Sequence, residues 1–373
     1  MKRVTMAMIG LLAATTGHAQ TQTGAETQTG PQTEAELLAA AKAEPPMTAY
    51  AVTGKIVDTA EAFSAKYGLS VTGKKVNEAG QIELLIREAQ ANNVVGGVSL
   101  AADAATIAAQ LIPEGIVESW VPPDVADQLA ASARDPLVVV SDPMVWSYNT
   151  EAYAACPISN VWQLVDPEWK SRVSMMDPLE KPAYADWFNQ LEEHHDPAMA
   201  AAYEAHYGKP FDSAEGSATQ AWVKAFAANG VLIADSSGVS DAIGAAGQTS
   251  PFFGILSTAK FRDNVDKGHK LGFCANVAPF SGWLYPGLGV IAKGTASPNT
   301  AKLFISYLLT AEGIAPQSVD GKVPSDPRVG LPADEASGIA AHLDQLMVWT
   351  NAGAQSDLDR RQDWQDLWRT NLR

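Results

Sequence analysis

The chain has 373 residues, 46% of them hydrophobic and 18% charged, which excludes disorder over most of its length and allows about two domains. Its 26 Lys+Arg against 42 Asp+Glu give a net charge of −16. With no basic run, that excludes a general nucleic-acid or anionic-membrane binder. Two cysteines exclude a disulfide-built scaffold and a four-cysteine zinc site.

Lys2 and Arg3 precede an apolar stretch over 4–14, and Gly17-His18-Ala19 supplies small residues at −3 and −1 of a cleavage site. Residues 1–19 therefore read as a secretory signal peptide cut after Ala19, too short for a stable membrane span. Residues 20–33 are polar and repetitive and read as a flexible leader. No lipobox cysteine follows the apolar stretch, so the expected product is a soluble periplasmic protein. In that oxidising space Cys156 and Cys274 form either a disulfide or two buried thiols, and sequence leaves both open.

Helix and strand patterns then alternate. Residues 48–53 read as a strand, Ile56, Ala60, Phe63 and Tyr67 recur at helical spacing, and Gly68 stops the helix. A second strand is expected at 69–71, a helix capped by Asn77, a third strand at 97–100 and an Ala-rich helix ending at Leu111. This rhythm predicts a parallel sheet flanked by helices, with ligands bound at the carboxyl ends of the strands. From Pro136 an extended run over 137–141 leads through Trp146 and Tyr148 into helical material. Strands are expected at 173–176, 231–234, 270–277 and 288–292, and helices from Thr300 onward. Trp364, Leu367, Trp368 and Leu372 form an apolar stripe on the last helix, read as core packing.

Two α/β lobes crossed twice by the chain, near 136–148 and 270–285, predict a hinged clam-shell. Lobe 1 is expected to span 34–140 and 276–330, lobe 2 141–275, with C-terminal helices over 331–373.

Strand ends nominate a binding site. Thr53 and Gly54 stand at a strand-to-helix turn whose free N–H groups and hydroxyl suit a phosphate or carboxylate, without P-loop spacing. Asn77 and Gln81 open the next helix, and Ser99 closes the next strand. Asp235-Ser236-Ser237-Gly238-Val239-Ser240 can aim hydroxyls and N–H groups at one oxyanion, but it lacks the closing glycine of a nucleophile elbow. His194, His195 and Asp196 point about 100° apart on a helix and cannot converge on one metal ion. Ser281, Trp283 and Tyr285 lie near the second crossover. No coherent catalytic set emerges, and no cofactor or resident metal is expected.

Several stretches resemble the periplasmic solute-binding proteins of ABC importers, in the ferric-iron-binding branch. AYAVTGKIVDTAEAFSAKYGLSV, QIELLIREAQANN, QLIPEGIVESWVPPD, WQLVDPEWKSRVSMMDP and GLGVIAKGTASPNTAKLFISYLLTAEG carry the resemblance over about 37–330. It implies a two-lobed, type II periplasmic-binding-protein α/β clam-shell with hinge crossovers. It also implies no enzymatic activity, a monomer and a partner permease in the inner membrane. Iron-binding members hold ferric ion with an adjacent tyrosine pair; the stretch that looks equivalent here has Ser257 and Thr258, neutral hydroxyls suited to an anionic oxygen. Some sugar-phosphate-binding relatives resemble the His195-Asp196 stretch by placing such a pair in the cleft.

The expected cargo is accordingly a small anionic solute, a sugar phosphate or other organophosphate or phosphonate. Its expected ligands are Thr53, Gly54, Asn77, Gln81, Ser99, His195, Asp196, Ser236, Ser237, Ser257, Thr258 and Ser281. Ferric iron is the alternative cargo, and an exported phosphatase or esterase a lesser one. The charge of −16 opposes long-range attraction of an anion, so local dipoles would have to supply it.

Overall fold

The structure, a computed structural model, describes residues 32–373; the expected signal peptide and the leader up to residue 31 lie outside the described residues. In chain order it begins α1 (Glu34–Ala41), β1 (Met47–Ala51), α2 (Lys55–Tyr67), β2 (Val71–Lys75), α3 (Glu78–Gln90), β3 (Gly96–Ala101), α4 (Ala104–Thr106) and β4 (Val117–Ser119). The long β5 (Val138–Asn149) leads to β6 (Val173–Met175), α5 (Pro182–Tyr207), α6 (Ala218–Ala228), β7 (Leu232–Ile233), α7 (Ser236–Gly244), β8 (Phe253–Ser257), α8 (Asp263–Asp266) and β9 (Leu271–Phe273). The chain returns through β10 (Gly282–Ala292) and finishes with α9 (Pro298–Leu308), α10 (Ala311–Ser318), β11 (Val323–Pro324), β12 (Leu346–Val348) and α11 (Ala354–Asn371).

Local sequence accounts for the first lobe. On α2, Ile56, Thr59, Ala60 and Phe63 fall on one buried face, and Gly68 ends the helix in the left-handed conformation at φ 68°. Gly73 of β2 lies against the first turn of α2, where a Cβ would meet the Ile56 carbonyl at 2.3 Å. Asn77 caps α3 by accepting from the Gly80 N–H. Strands β2, β1 and β3 are parallel, and β3 is buried along its whole length, as a central strand between two helical layers must be.

The two lobes share two long strands. β5 and β10 pair antiparallel from Val145↔Gly282 to Val138↔Leu288, with Asp142 opposite Tyr285 near the middle. The late part of β10 joins β3, and the late part of β5 joins β8 and β9. The main path of strands runs β2-β1-β3-β10-β5-β8-β6-β7. The result is a two-lobed α/β fold with a cleft where the shared strands cross.

Several boundaries differ from expectation. β2 starts at Val71 instead of ending there, and the extended run expected over 137–141 belongs to a longer strand. β5 continues to Asn149 because Trp146 stacks on Phe253 of β8 at 5.7 Å, a packing that holds both segments extended. β10 begins six residues earlier than its expected start at Leu288. Helices do not dominate the C-terminal region throughout: after α10 the chain runs irregularly through β11 and β12 before α11. There Trp364 and Trp368 are buried as expected, with Trp368 stacked on Phe188 of α5 at 6.1 Å. Cys156 and Cys274 are joined as a disulfide, with Cα atoms 5.1 Å apart. No described helix is long and apolar enough to cross a membrane.

Candidate functional site

A cavity lies at the crossing of the lobes. Thr53, Glu78 and Leu100 wall it from the first lobe, Met176, Lys181 and Tyr184 from the second. Asp142, Trp283 and Tyr285 come from the shared strands, Gln317 from α10 and Lys322 from the turn after it.

Each polar group is placed by its element. Glu78 opens α3, where the positive end of the helix favours a carboxylate. It pairs with Lys181, just ahead of α5, at 2.7 Å, so one ion pair spans the cleft. Asp142 accepts a 2.6 Å hydrogen bond from the Ser257 hydroxyl and lies 3.7 Å from the Lys322 ammonium. Tyr184, on the first turns of α5, is only 1% exposed, and its hydroxyl lies beside the Met176 backbone without a well-formed hydrogen bond. Burial, and then the charges of Asp142 and Glu78, raise its phenol well above the usual range. The indole N–H of Trp283 and both amide atoms of Gln317 are likewise buried without partners.

Tyr285 is a wall of the cavity, not an open ligand. Its hydroxyl donates to Asp186 at 3.3 Å and accepts from the Ala104 N–H at 3.3 Å. Behind it, Arg361 of α11 reaches Asp103 at 2.8 Å and Asp186 at 3.0 Å, tying α11 to both lobes. Burial pushes the Asp186 carboxyl up to about 7, against the pull of Arg361.

Outside the cavity an open mouth is lined by Asn77, Glu78, Asp177, Glu180, Lys181, Asp235 and Ser236. Four carboxylates against one lysine make it acidic.

The twelve residues nominated from strand ends are scattered by the fold. Thr53 reaches the cavity; Asn77 and Ser236 reach the mouth. Ser257 fixes Asp142, and Gly54 is exposed at the start of α2. Gln81 and Ser99 bond to each other at 2.7 Å, Thr258 donates to the Gly321 carbonyl and Ser281 to Gln345. Ser237 accepts from Lys260. His195 packs its ring on Phe280 at 4.9 Å, and burial lowers its pKa. Asp196 caps α6 by accepting from Thr219 at 2.8 Å and 2.7 Å. Sequence reasoning did not nominate Asp142, Tyr184, Gln317 or Lys322. One signal was present for Asp142, the single acid inside the run VVVSDPMVWSY.

Among the described residues, Asp241, Asp263 and His269 bring potential metal-ligating atoms within 4.8 Å of one another. The Lys267 ammonium already bridges Asp241 and Asp263, 3.2 Å from each, and Ser240 donates to Asp263. None of these residues lines the cavity.

A family model described as bacterial extracellular solute-binding protein matches residues 47–321. No curated protein sequence matches the chain. Iron-bound HitA from Pseudomonas aeruginosa is similar in structure, with a TM-score of 0.66, 15% identity and coverage of 86% of this chain and 99% of that one. So is IdiA (FutA) of Trichodesmium in complex with iron and citrate, with a TM-score of 0.62, 16% identity and coverage of 87% and 99%. AfuA from Actinobacillus pleuropneumoniae, with fructose-6-phosphate bound, has a TM-score of 0.62, 16% identity and coverage of 88% and 98%. The similar structures are mainly iron- or ferric-binding proteins, and this overturns the grouping with sugar-phosphate binders and the organophosphate cargo drawn from it. The physical reason is that the expected oxyanion groups do not converge: those of Gln81, Ser99, Thr258, Ser281 and Asp196 are spent on capping and internal bonds, while the cavity presents two carboxylates and a phenol beside its two lysines.

Proposed function

Because the chain belongs to the bacterial extracellular solute-binding protein family, we propose that it captures ferric iron in the periplasm and delivers it to an ABC permease. The observation that carries this reading is the Tyr184 hydroxyl, buried without a well-formed hydrogen bond and facing the charges of Asp142 and Glu78. Ferric ion is hard and takes anionic oxygens. A phenol held protonated by burial and two carboxylates releases its proton to water as its oxygen binds a trivalent ion, whose charge inverts the local pKa logic. One phenolate and two carboxylates then balance three positive charges.

Electrostatics support the same cargo. The net charge of −16 and the acidic mouth attract a cation and repel a phosphorylated anion. Lys181 and Lys322 neutralise Glu78 and Asp142 in the absence of the ion. Once the ion takes those carboxylates, both lysines are free to hold an accompanying oxyanion. The iron-bound and iron-citrate-bound neighbours are consistent with this arrangement.

The test is a titration of ligand-stripped protein with ferric citrate. A visible tyrosinate-to-iron band should appear, together with thermal stabilisation of about 2.7 kcal/mol at a hundredfold excess over Kd. Tyr184→Phe should abolish the band and weaken binding. Neither band nor stabilisation in the wild type, or stabilisation by a hexose phosphate instead, overturns the reading. Iron binding lost in Asp263→Asn but kept in Tyr184→Phe would overturn the cleft assignment and move the ion to the Asp241–Asp263–His269 group.

A further inference from the structure

We infer that Asp320 is a second station for the Lys322 ammonium: when the cargo ion takes Asp142, Lys322 turns to Asp320 and competes there with Arg262. Occupancy of the cleft is thereby coupled to an ion pair between the lobes. The inference rests on the ferric reading above and adds a regulatory step to it.

Asp142 and Lys322 are brought together by strand register. β11 pairs with β5 through Val323↔Ser141, which sets Lys322 beside Asp142, and their charged atoms lie 3.7 Å apart. Ser257 holds the other oxygen of the Asp142 carboxylate. A trivalent ion bound by Asp142 deprives Lys322 of its counter-charge and repels it. The same event at Glu78 costs less, because Lys181 is 36% exposed and stands at the mouth among Asp177, Glu180 and Asp235. Lys322 is only 8% exposed, and a buried charge left without a partner is costly. When the ion arrives without an accompanying oxyanion, that partner has to come from the protein.

Asp320 is placed to be the partner. It stands two residues before Lys322, across the turn in which Gly321 adopts φ 79°, and is itself 8% exposed. Its carboxylate is paired with Arg262, which follows β8 in the second lobe. Burial holds the Asp320 carboxyl above the usual range although Arg262, Lys55 and Lys322 all pull it down, so it is short of close positive charge. Glu335, the other acid against this turn, is occupied by the N–H groups of Ser337 and Ile339. Arg262 is 42% exposed and can give way to water, as Lys322 cannot. The exchange therefore loosens one of the contacts that join the end of β8 to the turn after α10; the Thr258 bond to the Gly321 carbonyl is another.

Coupling is reciprocal, so variants that break the Arg262–Asp320 pair report it through cargo affinity. The test is a ferric citrate titration followed by the Tyr184 band, with melting temperatures of the ligand-free proteins. Arg262→Met leaves Asp320 to Lys322 and should tighten ferric citrate binding about fivefold. Asp320→Asn removes the second station and should weaken binding by about the same factor. A purely structural role for the pair would move both variants in one direction, along with their melting temperatures. In a Lys322→Met background neither substitution should change the affinity. Shifts in the same direction, no shift in either variant, or effects that persist without Lys322 overturn the coupling and leave the metal reading standing. Absence of the tyrosinate band in the wild type overturns the metal reading and the coupling with it.

Discussion

The Arg361 guanidinium reaches Asp103 in the first lobe and Asp186 in the second. Its planar fork lets it serve both carboxylates and the Thr106 hydroxyl together. Removing it strands two buried acids side by side. Arg361→Met should therefore cost about 3–5 kcal/mol, the range for breaking a buried pair from one side. Asp103→Asn leaves Arg361 paired with Asp186 and should cost clearly less. Urea unfolding of both variants checks this, and equal midpoints would show that the charges are compensated elsewhere. The same network fixes Tyr285, whose hydroxyl is turned from the cleft toward Asp186. No local pattern announces such a contact, because Asp103, Asp186, Tyr285 and Arg361 come from four distant stretches of chain.

At the scale of elements, the start of α9 shows how a distant carboxylate can replace a local cap. Glu44, from the turn after α1, accepts from the Asn299 and Thr300 N–H groups at 2.9 Å and 2.8 Å and from both side chains. Partial burial raises its pKa, but these four bonds outweigh that and leave it below the usual 4.5. A depressed carboxylate stabilises fully above its unfolded value, and the contribution is lost as pH falls through the folded value. Glu44→Gln should thus cost about 1–2 kcal/mol at pH 7, and its deficit should shrink as pH falls below 4.5. Chemical denaturation at several pH values measures both. Elements with local signals were legible: Gly68 stops α2, Asn77 caps α3, and the stripe of Trp364 and Trp368 is buried. β5 and β10 were under-read because their length comes from pairing with each other and with β8, not from their own composition.

For the whole molecule, the Glu78–Lys181 pair is a latch across the cleft. Its lysine is 36% exposed, so its worth lies within the range for surface pairs, at most about 1 kcal/mol. Lys181→Met should shift the ligand-free population toward open forms by up to about fivefold. Small-angle scattering would show this as a larger radius of gyration, and ferric citrate would dissociate faster; an unchanged scattering curve would mean that the pair does not hold the lobes. The sequence by itself determined the α/β character and the two-lobed architecture, because helix stops, caps and apolar periodicity act over a few residues. Its charge balance also carried the cue that an anionic cargo fits poorly. Only the tertiary structure decided which polar groups face the cleft. Thr53, Glu78, Asp142, Tyr184, Gln317 and Lys322 are ordinary residues in their own segments, and the Gln81–Ser99 and Asp196–Thr219 bonds that consume other candidates are equally invisible there. Convergence is set by how strands cross and helices dock, and hydroxyls at strand ends cap a helix or meet a ligand according to what those crossings bring near them.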